Sequence, residues 1–156
     1  MNAPVPAPLL DVERWFNTDT PITLEGLRGK VVVLHAFQML CPGCVSHAIP
    51  QARRLHQIAE NVPDLVVLGL HSVFEHHAAM TPVSLAAFLH ENKITFPVAV
   101  DRPATDGPIP HTMAAYGLRG TPSTIVIDRA GLIVRHSFGA EDDIVLGLVV
   151  GGLLKD

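Results

Sequence analysis

The run Val31 to Phe37 (VVVLHAF) passes through Gln38, Met39 and Leu40 straight into Cys41-Pro42-Gly43-Cys44. A nearly continuous apolar and β-branched run of this kind reads as a strand buried on both faces. After the cysteines, Ile49, Ala52, Leu55 and Ile58 recur on one face of a helix predicted over Val45 to Ala59. A strand that turns directly into a helix sets Cys41 at the helix N-terminus, where unsatisfied N–H groups and the helix dipole favour a thiolate. Pro42 has no N–H, so the amides of Gly43 and Cys44 are the expected donors to the Cys41 sulfur. Thiols placed this way commonly titrate at roughly 3.5–7.5 instead of ~8.5, which makes Cys41 the expected nucleophile. Cys44, one turn further in, is placed to resolve a mixed disulfide.

The rest of the chain surrounds that junction with a regular α/β pattern. Leu65 to Leu70 is a second buried-strand run. Thr81 caps a helix that Pro82 opens and that runs to about Asn92, with Leu85, Phe88 and Leu89 inward. Phe96 to Val100 reads as a strand, and His111 to Tyr116 as a short helix ended by Gly117. Ser123 to Ile127 and Leu132 to Phe138 form a hairpin around Asp128-Arg129-Ala130-Gly131. The acidic run Ala140 to Asp143 starts a last helix. Its body, Ile144 to Leu154, is apolar nearly all round and is expected to be buried or covered by a partner. Pro21 to Leu24 is expected as a short edge strand, residues 1–8 as a loose lead-in, and Trp15 and Phe16 as packing onto the core. The order describes a mixed sheet with helices on both faces, in one domain over 1–156 with residues 1–20 leading in.

Composition removes several function classes. The chain has 156 residues, 48% of them apolar, and a mean hydropathy of +0.33, so it is not disordered. At this length roughly two-thirds of the unfolded surface is buried, so no metal or disulfide staple is needed for stability. Charged residues are 17%, the formal net charge is −4 and no basic run exists, so no nucleic-acid partner is expected. The N-terminus lacks the cationic and apolar regions of a secretory signal. The Ile144 to Leu154 stretch is about half of the ~20 residues a membrane span needs. The expectation is a soluble, cytoplasmic protein with no membrane partner.

Cys41 and Cys44 are the only cysteines, too close together to close a large loop. They are therefore a redox dithiol or half of a metal site. A structural zinc site takes four Cys or His ligands. His47 would complete a trio and His71, His76 or His77 a fourth position, but the placement at a strand-to-helix junction favours redox chemistry. No bound metal and no cofactor are expected.

The segments LRGKVVVLHAFQMLCPGC, VVLGLHSVFE, ITFPVAVD and MAAYGLRGTPSTIVIDRAGLIV, in that order over about residues 22 to 139, resemble the thioredoxin superfamily and, within it, the TlpA/ResA-like thiol–disulfide oxidoreductases. The resemblance implies a thioredoxin-like three-layer sandwich with extra N-terminal strands and a central inserted strand and helix. It implies that Thr121-Pro122 is the loop whose cis-proline faces the dithiol. The backbone of Thr121 would then receive substrate, beside Pro42 and Gly43. His35 stands where thioredoxin has a buried proton-accepting aspartate. It is expected either to take the Cys44 proton or to be a core histidine bonded to its surroundings. Leu40 replaces the usual tryptophan before the first cysteine, and Pro50 lies six residues after Cys44 instead of five. Glu75 falls near an active-site glutamate of the ResA-like proteins, in a loosely aligned loop where a solvated carboxylate is the simpler account.

These readings predict an enzyme exchanging disulfides of a protein or small thiol substrate, reset by an external thiol reductant, as a monomer or weak homodimer. Two alternatives compete. A peroxiredoxin-type peroxidase expects P-x-x-x-T-x-x-C, and Gln38 and Leu34 occupy the threonine and proline places. A Cys/His metal-binding module would use Cys41, Cys44 and a histidine.

Overall fold

The computed structural model describes residues 3–156. Strands β1 (Val5–Pro6), β2 (Val12–Phe16), β3 (Val31–Phe37), β4 (Leu65–His71), β5 (Val98–Asp101), β6 (Ser123–Ile127) and β7 (Leu132–Phe138) form one mixed sheet of order β1-β7-β6-β3-β4-β5-β2. The helices are α1 (Ile49–Ala59), α2 (Pro82–Glu91), α3 (His111–Tyr116) and α4 (Asp143–Lys155). β3 lies between β4, parallel to it, and β6, antiparallel to it. Every residue of β3 is buried, as the apolar run requires.

Strand alternation divides the core in two. Val31, Val33 and Phe37 face α1, α2 and α4. Val32, Leu34 and Ala36 face α3 and the N-terminal segment. Helices thus lie on both faces of the sheet, and β3 carries the dithiol loop out of the middle of both cores.

The N-terminal expectations shift. Residues 1–8 are not a loose lead-in where described: β1 pairs with β7, and Tyr116 Oη donates to the Pro8 carbonyl at 2.6 Å. β2 pairs with the edge of β5, which seats Trp15 and Phe16 against opposite cores. Pro21 to Leu24 forms no strand, because the Thr23 hydroxyl accepts the Gly26 N–H at 3.1 Å and turns the chain into a 3₁₀ turn over Glu25–Leu27.

Helix ends follow local chemistry. Thr81 accepts the Ser84 N–H and Asp142 those of Ile144 and Val145. α3 has proline at its N-cap, and its free amides are met from outside. The buried Asp101 carboxylate accepts the Thr112 and Met113 N–H groups at 2.7 and 2.9 Å and the Ser72 hydroxyl at 2.8 Å.

Two helix expectations are corrected. Ile58 is exposed and Gln51 is buried in its stead. α4 buries only Leu146 and Val150 fully, while Ile144 and Leu148 are each 73% exposed. A helix apolar on every side still packs on its sheet through a single face. No described helix is long and apolar enough to cross a membrane.

Candidate active site

The helix after the dithiol begins with a widened turn. Residues Cys44–Ala48 are π-helical, and the Ile49 N–H reaches back five residues to the Cys44 carbonyl. Pro50, at the start of α1, has no N–H to bond the residue four before it. The wide turn absorbs one residue there, which accounts for the extra residue between Cys44 and proline.

Cys44 is fully buried, Cys41 is partly exposed, and both are free thiols. The Cys44 N–H donates to the Cys41 sulfur at 3.3 Å. The Gly43 amide does not share that task; Gly43 instead lies against Pro122, whose Cδ a Cβ at Gly43 would approach at 3.4 Å. The Cys41 thiol donates to the Thr121 carbonyl at 3.5 Å, and the Thr121–Pro122 peptide is cis. Pro122 is buried and Pro42 exposed. Burial, and then the neighbouring Cys41 sulfur, push the Cys44 thiol up to about 12. The Gln38 backbone and the Thr121 hydroxyl pull it the other way; that hydroxyl is buried with no nitrogen or oxygen partner.

Two buried histidines flank the loop. His71, tilted against Phe37 at 5.1 Å between ring centroids, accepts the Met39 N–H on Nε2 at 3.2 Å. It therefore holds the backbone two residues before Cys41. Burial lowers its pKa to about 4, so it stays neutral and keeps that lone pair. Nothing in the sequence signals this role, since the bond joins segments 32 residues apart.

His35 donates from Nε2 to Gln51 Oε1 at 3.2 Å, and its Nδ1 is buried without a partner. Burial lowers its pKa to about 4, against a smaller opposing effect of Gln51. Gln51 passes the contact on, donating to the Glu141 carbonyl at 2.8 Å and to Asp143 Oδ1 at 2.7 Å. His47 donates to the same Glu141 carbonyl at 2.6 Å. The Glu141 carboxylate is clamped by Arg135 at 2.6 and 3.0 Å and by the Ser137 hydroxyl, and the Arg135 guanidinium holds it below the usual carboxylate range. Glu141 so ties the active-site helix to β7 and α4. The acidic run Ala140 to Asp143 was legible as a helix start, but its buried member was not.

The remaining candidates disperse. The Gln38 amide is spent on the Phe74 N–H at 3.1 Å and on Glu75 at 3.5 Å, so the side chain at the place where a peroxidase needs threonine bonds the β4–α2 loop and not the Cys41 sulfur. Glu75, His76 and His77 are exposed, and His77 contacts the Pro108 carbonyl at 3.2 Å. Among the described residues no group of three or more His, Cys, Asp or Glu side chains is placed to hold a metal.

The model of the AhpC/TSA family matches residues 5–136. The chain belongs to that family. Among solved structures, a thioredoxin-like superfamily protein is 54% identical, with TM-score 0.93 over 97% of both chains. A thiol-disulfide isomerase from Corynebacterium glutamicum is 53% identical, with TM-score 0.90 over 96% of this chain and 97% of the other. The fold is thioredoxin-like. Among curated relatives, protein DipZ of Mycobacterium bovis is 30% identical over 150 residues, 95% of this chain and 20% of DipZ. Thiol-disulfide oxidoreductase ResA of Halalkalibacterium halodurans is 25% identical over 126 residues, 80% of this chain and 63% of ResA. This family member thus has thiol–disulfide oxidoreductase and isomerase homologues, and it spans 20% of the length of DipZ.

Proposed function

We propose that the protein is a thiol–disulfide oxidoreductase in which Cys41 attacks and Cys44 resolves. The observation that carries this reading is the asymmetry of the pair. One sulfur is partly exposed and receives an N–H at 3.3 Å; the other is buried, with its thiol pushed up to about 12. Two adjacent thiols do not both ionise readily, so the buried one keeps its proton and the outer one reacts.

The reaction is a two-electron exchange. The Cys41 thiolate attacks one sulfur of a substrate disulfide, forms the mixed disulfide and expels the other substrate sulfur as a thiolate. Cys44 gives its proton to solvent or to that thiolate and attacks the Cys41 sulfur. The second substrate sulfur leaves as a thiolate and is protonated, so the substrate has gained two electrons and two protons, and the protein, now carrying the Cys41–Cys44 disulfide, has lost them. An external thiol reductant resets it. In a reducing compartment such as the cytoplasm the exchange runs towards substrate reduction. When Cys41 is ionised, the Thr121 carbonyl loses its thiol donor and is free to accept a substrate N–H. For His35 the core reading has the better support, because Nε2 is committed to Gln51 and no hydrogen bond joins the ring to either sulfur.

Cys41→Ser abolishes turnover of insulin with a thiol reductant, whereas Cys44→Ser accumulates a mixed disulfide visible by mass spectrometry. Turnover retained by Cys41→Ser overturns the assignment.

A further inference from the structure

We propose that Arg119, whose guanidinium lies over the Phe138 ring, is a specificity determinant that selects disulfides carrying a carboxylate close to the reacting sulfur. The inference rests on the dithiol reading above and names its substrate class.

A chain of contacts links this side chain to the reacting centre. Arg119 directly precedes Gly120, Thr121 and Pro122, so roughly 7 Å of extended chain at most separates its Cα from that of Thr121. The Thr121 carbonyl in turn lies 3.5 Å from the Cys41 sulfur. The Phe138 ring covers Gly120 so closely that a Cβ there would sit 3.0 Å from it. The Arg119 guanidinium carbon is 5.3 Å from the centroid of the same ring. The two strand ends are latched by the Gly139 N–H donating to the Pro122 carbonyl at 2.8 Å. Ring, guanidinium and proline loop therefore adjoin one another next to the Thr121 carbonyl that the Cys41 thiol contacts.

The chemistry of that unit is incomplete within the monomer. Arg119 is exposed, and none of the ion pairs among the described residues includes it. Phe138 is 51% exposed and Leu40, directly before Cys41, is 56% exposed, and both are apolar. A guanidinium attracted to the face of an aromatic ring can still offer N–H groups to a carboxylate. The protein carries a net charge of −4, so its overall field opposes an anionic substrate and a local cation offsets that opposition.

The test uses pre-reduced protein and stopped-flow second-order rate constants for a dianionic disulfide, 5,5′-dithiobis(2-nitrobenzoate), and a neutral one, 4,4′-dipyridyl disulfide. Arg119→Gln lowers the ratio of the two constants by about two- to fivefold, the size of an exposed ion pair. Arg119→Lys restores much of the ratio, and added salt erodes the wild-type ratio towards the variant's. The same comparison with oxidised glutathione, and with bridged peptides differing only in Asp or Asn beside the half-cystine, assigns the carboxylate to a small thiol or to a polypeptide. A ratio that Arg119→Gln does not change for any of these pairs overturns the proposal. Equal reactivity of Cys41→Ser and wild type towards both aromatic disulfides would instead remove the dithiol reading beneath it.

Discussion

Replacing Glu141 by glutamine keeps the shape of the side chain and takes away its charge. In the native protein the carboxylate is buried and accepts from Arg135 Nε at 2.6 Å, Arg135 Nη2 at 3.0 Å, the Ser137 hydroxyl and the Asp142 N–H at 3.2 Å. Glutamine offers one acceptor oxygen, so its NH₂ is turned against a donor on one side. Hydrogen bonds to a charged group contribute about 1.5–3 kcal/mol each. The Arg135 side chain is 34% exposed, so solvent screens part of that gain. A net loss of about 2–3 kcal/mol follows for the variant, which for a chain of this length lowers Tm by roughly 4–12 °C. The sign with pH is set by the lowered carboxylate pKa. Its stabilisation is present above the ordinary value of 4.5 and is lost as pH falls through the still lower folded value. Urea unfolding of wild type and Glu141→Gln should therefore show a wide gap at neutral pH that closes on acidification. A gap of the same size in acid, or none at neutral pH, would refute the reasoning.

The two buried histidines predict a second pH effect. His35 and His71 are each lowered from 6.5 to about 4, so the unfolded chain binds more protons between those values and stability falls as pH drops from about 6.5 to about 4. His35→Gln should flatten that slope by up to one proton per molecule in urea titrations, and an unaltered slope would count against a buried neutral ring. Gly69 lies where a Cβ would meet Phe96 at 3.0 Å, Val98 at 3.1 Å and Phe37 at 3.2 Å. Gly69→Ala should cost about 1–3 kcal/mol through overpacking, read as a lower melting temperature; an unchanged one would mean that the two rings and the valine give way freely.

The strand-to-helix junction at the cysteines was legible because its signals are local. The same is true of the β6–β7 hairpin with Gly131 at positive φ and of the Thr81 cap. Less was readable where a residue's partner lies far along the chain. Asp101 at the end of β5 carries no mark of the helix amides it satisfies. Glu75 and the adjacent His76 and His77 attract attention in the sequence, yet they stay at the surface.

The sequence by itself determined where the backbone from Val31 onward extends, coils and turns, and which pair of sulfurs meets one turn apart at a helix start. Those outcomes depend on propensities and caps within a few residues. Only the tertiary structure decided which sulfur is shielded, which histidine holds the loop, that Glu141 is a buried tie and that Arg119 lies on Phe138. Each of those depends on desolvation and pairing between distant segments, and neither exists until the sheet has brought them together.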